Sequence, residues 1–173
     1  MKALARALRA PTRSNSRQTG KTTQPPKESA MNPIVELLHT AKARTRGGRE
    51  RGVSRSSDGL LDIRLSMPGM ARIGANPEQL LAAAWSASLE SAIALAARQR
   101  IIAFPVDPAI EAEVDLCVAD GAYFLRVRLN VSLPGVERAV AAVLLDEAEK
   151  ICPYSNATRG SIEVTIELVR TAL

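Results

Sequence analysis

The chain has 173 residues, 46% hydrophobic and 24% charged, with a formal net charge of +5, which is enough for one domain with a substantial core. No run reaches the roughly 18 consecutive apolar residues of a membrane span, the longest candidate, "LLAAAWSASLESAIALAA", being broken by three serines and a glutamate. Two cysteines make no disulfide framework, and without an apolar signal-peptide core they point to a reducing, cytoplasmic setting.

The charge is unevenly spread. Residues 1–30 hold Lys2, Arg6, Arg9, Arg13, Arg17, Lys21 and Lys27 against Glu28 alone, so the tail carries +6 and the rest −1. The high pI therefore belongs to the tail and gives little reason to expect nucleic-acid binding by the folded part; neither a nucleic-acid nor a membrane partner is expected. Residues 1–31 read as a basic disordered tail, poor in large apolar side chains. A misassigned start upstream of Met31 and a transit-like segment are the alternatives. Residues 32–173 read as the folded domain.

From Val35 the pattern predicts short strands. "VELLHTAKA" is the first and contains His39, "RTRGGRERG" is a glycine-punctuated turn, and "VSRS", "SSDG" and "LLDIRLSM" complete a meander. "PGMARIGA" is a loop. A long helix then runs from Pro77 to about Arg100, with Asn76 as N-cap and Gln79 completing a capping box. Being apolar around most of its circumference, it is expected to be buried.

"EAEVDLCV" and "YFLRVRLNVSL" read as two strands joined through Asp120-Gly121. A second helix follows in "PGVERAVAAVLLDEAEKI", and Cys152-Pro153 ends it before a polar turn with Tyr154, Ser155, Asn156 and Arg159. The last strand alternates Ile162, Val164, Ile166 and Leu168 with polar residues. The order is βββ-α-ββ-α-β, an α+β domain.

Few residues offer chemistry. His39 is the sole histidine, which argues against a zinc site or a Ser-His-Asp triad. The glycines of "TRGGRERG" lie between strands and open no helix, so they do not form a phosphate loop. Cys117 shares a strand face with Glu113 and Asp115, whose carboxylates disfavour its thiolate. Cys152 by itself reads as a small buried hydrophobe at a helix end.

"CPYSNATRG" and "NPEQLLAAAWSAS" together resemble the organic hydroperoxide resistance (Ohr) family of the OsmC-like superfamily. "TRGGR", "SSDGLLDIRLSMP" and "SLPGVERA" extend the likeness from about Leu38 to Val169. The resemblance implies antiparallel sheets packed around a long central helix in an intertwined homodimer. It also implies a thiol peroxidase acting on organic or fatty-acid hydroperoxides. No bound cofactor is implied; the reductant would be the lipoyl-type dithiol of a lipoylated protein. By this resemblance Arg49 and Glu78 match the pair that stabilises the peroxidatic thiolate, and Cys152 matches the resolving cysteine. Ser88 stands at the peroxidatic position.

A serine hydroxyl cannot become a sulfenic acid, and without a neighbouring base it is a weak nucleophile. Ser88 shares a helical stripe with Leu81, Ala84, Trp85, Ala92 and Leu95, which predicts an enclosed hydroxyl bonded back to a carbonyl one turn earlier. Glu78 and Ser88, ten residues apart, are separated by roughly 15 Å of helix rise. If both line one site, the glutamate comes from another subunit. The alternatives are a silent binder of hydroperoxides or lipids, and an engineered Cys-to-Ser trap of an active peroxidase.

Overall fold

The computed structural model describes residues 35–170; the basic tail expected over residues 1–31 lies outside them. Residues 35–42 have no regular secondary structure, so His39 does not sit in the first strand, contrary to the sequence expectation. That strand is β1, Ala43–Arg46, after which come the one-turn helix α1, Gly48–Arg51, and β2, Val53–Ser56. The reason is register. Arg46 pairs directly with Val53 and Ala43 with Ser56, so a short hairpin loop holds the strand to four residues. β3, Asp62–Arg64, completes an antiparallel sheet in the order β1-β2-β3.

The long helix α2, Pro77–Gln99, forms where its start signals placed it. Asn76 Oδ1 accepts from the Gln79 backbone N–H at 2.7 Å, and Gln79 Oε1 accepts from the Asn76 N–H at 3.0 Å. Two backbone donors at the helix end are thereby satisfied, an arrangement that contributes about 1 kcal/mol. Trp85, Leu89, Ala92, Ile93, Ala96 and Ala97 form its buried face. Ala83, Ala87, Glu90 and Ser91 are exposed in the single chain, so burial is one-sided here, not all round. The helix has the length and apolarity of a membrane span, but its apolar face is the core of this domain.

β4, Ala109–Ala119, and β5, Ala122–Ser132, form an antiparallel ribbon of eleven residues a side. Asp120 and Gly121 turn it with φ of 50° and 79°, the two positive values that a type I′ turn needs. α3, Arg138–Ile151, and α4, Pro153–Thr158, then carry the chain to β6, Glu163–Leu168. β6 lies parallel to β5, so the second sheet is mixed. The helical crossover brings the chain back to the end from which β5 started, which a tight hairpin cannot do. "PYSNAT", read as a polar turn, is the helix α4. Pro153 sits at its first position, where a missing N–H costs nothing.

The α+β architecture and the βββ-α-ββ-α-β order therefore hold, with two short helices added. α2 packs against β4, α3 and α4, and Val127, Leu129 and Val131 of β5 meet its buried face.

Arg100, just past α2, donates from Nε and Nη2 to both carboxylate oxygens of Glu147 on α3, at 2.8 and 2.5 Å. These bonds, led by the hydrogen bonding, hold the Glu147 carboxyl below its ordinary value of 4.5. A carboxyl with a depressed folded pKa adds stability above its unfolded pKa and loses it as pH falls through the folded value. E147Q is thus expected to melt slightly below the parent at pH 7. The gap should close below about pH 4.5, as thermal unfolding of both across pH would show.

Candidate functional site: two half-sites along one helix

Arg49 reaches its place through a tight glycine loop. Gly47 and Gly48 take positive φ values of 80° and 64°, which glycine adopts without steric penalty. At Gly52 a Cβ would lie 2.2 Å from the Gly48 carbonyl oxygen, so a side chain there would force the loop open. The loop turns the Arg49 guanidinium toward the start of α2. Arg49 Nη2 donates to Glu78 Oε1 at 2.5 Å, and the Glu78 side chain is only 14% exposed. Glu78 follows Pro77 in the first turn, where the helix dipole favours a carboxylate. A groove of about 490 Å³ runs past this pair, walled by Met67, Pro68, Val114 and Leu116.

Cys152 is fixed by two helices at once. Its N–H donates to the Ala148 carbonyl at 2.8 Å, ending α3, and its own carbonyl accepts from the Asn156 N–H at 3.0 Å, opening α4. The residue is fully buried. Its Sγ lies 3.6 Å from Ser88 Oγ, across residues 64 apart in sequence. One turn earlier on α2, Trp85 stacks on Tyr154 with ring centroids 6.2 Å apart, so Trp85 and Tyr154 tie α4 to the same stretch of helix.

Ser88 differs from its sequence expectation in two respects. It is half-buried, at the margin of the buried stripe, which is centred on Trp85, Leu89 and Ala92. Its hydroxyl faces the Cys152 sulfur and not a carbonyl one turn back. Back-bonding is left to Ser91, which donates to the Ala87 carbonyl at 2.9 Å, and to Ser86, which donates to the Ala83 carbonyl at 3.1 Å. The 3.6-residue period gave the stripe but not its centre, which the docking of α3 and α4 decides.

Of the four residues singled out in the sequence, the fold thus brings together Arg49 with Glu78 and Ser88 with Cys152. It does not bring the two pairs together within one chain, since ten residues of α2 keep them roughly 15 Å apart. Cys117 is a half-buried free thiol on β4, opposite Phe124. Its neighbours Glu113 and Asp115 are both engaged by Arg128 of β5, whose hydrogen bonds hold the Asp115 carboxyl below the usual carboxylate range. Glu149 on α3 shows the opposite shift, pushed up first by burial and then by Asp146.

The pattern of the family described as "OsmC-like protein" matches residues 69–167. The organic hydroperoxide resistance protein of Xanthomonas axonopodis pv. citri is 40% identical over 137 residues, covering 77% of this chain and 96% of that protein. The crystal structure of the organic hydroperoxide resistance protein OhrB of Bacillus subtilis superposes with a TM-score of 0.71 at 39% identity, covering 77% of this chain and all of that one. An organic hydroperoxide resistance protein from Legionella pneumophila gives 0.71 at 36% identity, over 77% and 98% of the two chains. By the family pattern, by relatives that it spans almost end to end and by a shared fold, the chain belongs to the organic hydroperoxide resistance family of OsmC-like proteins.

Proposed function

We propose that this protein carries the thiol-peroxidase site used in defence against organic hydroperoxides, with position 88 at the point of attack and Cys152 as the resolving thiol, in a form that serine at 88 leaves without turnover. The observation that carries this reading is the 3.6 Å approach of Ser88 Oγ to Cys152 Sγ. A residue at that position can exchange bonds with the buried sulfur without any movement of the backbone. The Arg49–Glu78 pair supplies a guanidinium already oriented by a carboxylate, the group that would stabilise a thiolate and the developing negative charge on peroxide oxygen. Because α2 separates the pairs, the reading requires Arg49 and Glu78 of one subunit to complete the Ser88–Cys152 pair of the other in a homodimer.

With serine at 88 the chain itself is catalytically silent. Oxygen at that position offers no route to a sulfenic acid, and Cys152 is buried away from solvent. A lipoyl-type dithiol, carried by a lipoylated protein, is the reductant of the competent site. The test is reduction of cumene hydroperoxide by dihydrolipoamide, followed for the chain as it stands and for S88C. Turnover is expected in S88C alone, on the order of a hundredfold or more above the parent. Equal rates in the two proteins would remove position 88 from the chemistry.

A further inference from the structure

Trp85 Nε1 and Ser155 Oγ are buried side-chain atoms with no hydrogen-bond partner among the described residues. Both residues line one cavity of about 340 Å³, walled by α2, the α3–α4 segment and β6. Trp85 is 0% exposed, and its stacking on Tyr154 fixes the plane in which its N–H points. Neither Ser88, Cys152, Arg49 nor Glu78 lines this cavity.

The rest of the lining defines what would fit. Ile162, Val164 and Ile166 form an aliphatic wall, alternate residues of one segment sharing a face. Two charged residues complete the lining, Glu149 and Arg159, one acid and one base whose formal charges cancel. The Thr158 hydroxyl is already committed to the Tyr154 carbonyl at 2.8 Å. What remains is an indole donor, which can only donate, and a serine hydroxyl, which can do both. A single water, whose share of liquid volume is about 30 Å³, would occupy a small fraction of the space. A hydrocarbon would leave both polar atoms unpaired, and a carboxylate would add an unbalanced negative charge to a lining in which Glu149 and Arg159 already cancel.

We propose that this cavity is a binding site for a neutral aliphatic alcohol, its chain along Ile162, Val164 and Ile166 and its hydroxyl oxygen accepting from Trp85 Nε1 beside Ser155 Oγ. The inference does not depend on the peroxidase reading, because it uses none of the residues assigned to that chemistry. Trp85 is the only tryptophan, so its fluorescence reports directly on the site.

The experiment titrates the full chain with 1-octanol and, in parallel, with octanoate, by fluorescence and by calorimetry. A saturable change with one 1-octanol per chain is expected, with octanoate weaker by about tenfold or more at neutral pH. S155A and W85F, the latter read by calorimetry, are each expected to weaken 1-octanol binding roughly three- to tenfold. Should W85F fail to fold, S155A decides alone, since it removes one hydroxyl and nothing else. The proposal is overturned by an absence of saturable binding up to the solubility of 1-octanol. Undiminished affinity in the folded variants, or octanoate binding as tightly as 1-octanol, would overturn it equally.

Discussion

One equivalent of cumene hydroperoxide is expected to convert S88C completely into a form with a disulfide from position 88 to Cys152, and to leave the parent chain reduced. The thiolate at 88 attacks the distal peroxide oxygen; the O–O bond breaks, and cumyl alcohol leaves with a proton. The resulting sulfenic acid is then attacked by the Cys152 thiol, an S–S bond forms, and water departs with the sulfenic oxygen. Geometry favours the second step. The Oγ–Sγ distance is 3.6 Å, a carbon–sulfur bond is longer than a carbon–oxygen bond, and a disulfide closes at about 2.05 Å between sulfurs. A small torsion at either side chain therefore suffices. Intact mass should show the loss of two hydrogens, and alkylation should find Cys117 as the remaining free thiol. Accumulation of sulfenic acid at 88 instead would mean that Cys152 does not resolve the intermediate.

The second large effect concerns Arg49. In the S88C background, R49A is expected to lower the rate of hydroperoxide reduction at pH 7 by about a hundredfold. A guanidinium beside a thiol favours the charged form and so lowers its pKa; removing it raises that pKa. The lost rate should therefore return in part as pH rises, shifting the pH–rate profile upward. E78Q should have the same sign and a smaller size, because Glu78 orients the guanidinium and does not face the sulfur within its own chain. A uniform loss of rate with an unmoved profile would assign Arg49 to folding of the loop and not to the thiolate.

Much of this fold was legible because several of its signals are local. The Asn76–Gln79 capping box, the Asp120-Gly121 turn and the alternation in β6 each depend on residues close in sequence, and each formed as read. The misreadings share a different cause. β1 starts at Ala43 and not near Val35 because pairing with β2 sets its length. α4 replaces a polar turn because Cys152 closes one helix and opens the next, a junction that composition does not reveal. The parallel β6 needed the crossover to be known.

The site shows the same division. The motifs pointed to Arg49, Glu78, Ser88 and Cys152 through resemblance, and the fold joined them as two pairs. The stacking of Trp85 on Tyr154, and the cavity that Trp85 and Ser155 share, join residues about 70 apart in two separate motifs, neither of which encodes the contact. Nothing short of tertiary structure could have found them.

The proposed function requires each site to draw residue 88 and Cys152 from one subunit and its guanidinium from the other. A heterodimer purified from co-expression of the doubly substituted R49A/S88C chain with the unaltered chain tests it directly, since neither protein alone should reduce cumene hydroperoxide at an appreciable rate. In a two-fold dimer with shared sites, one of the two sites regains both groups, and activity is predicted to reach about half that of the S88C homodimer. A heterodimer no more active than the R49A/S88C protein itself, or a failure of the two chains to associate, would contradict it.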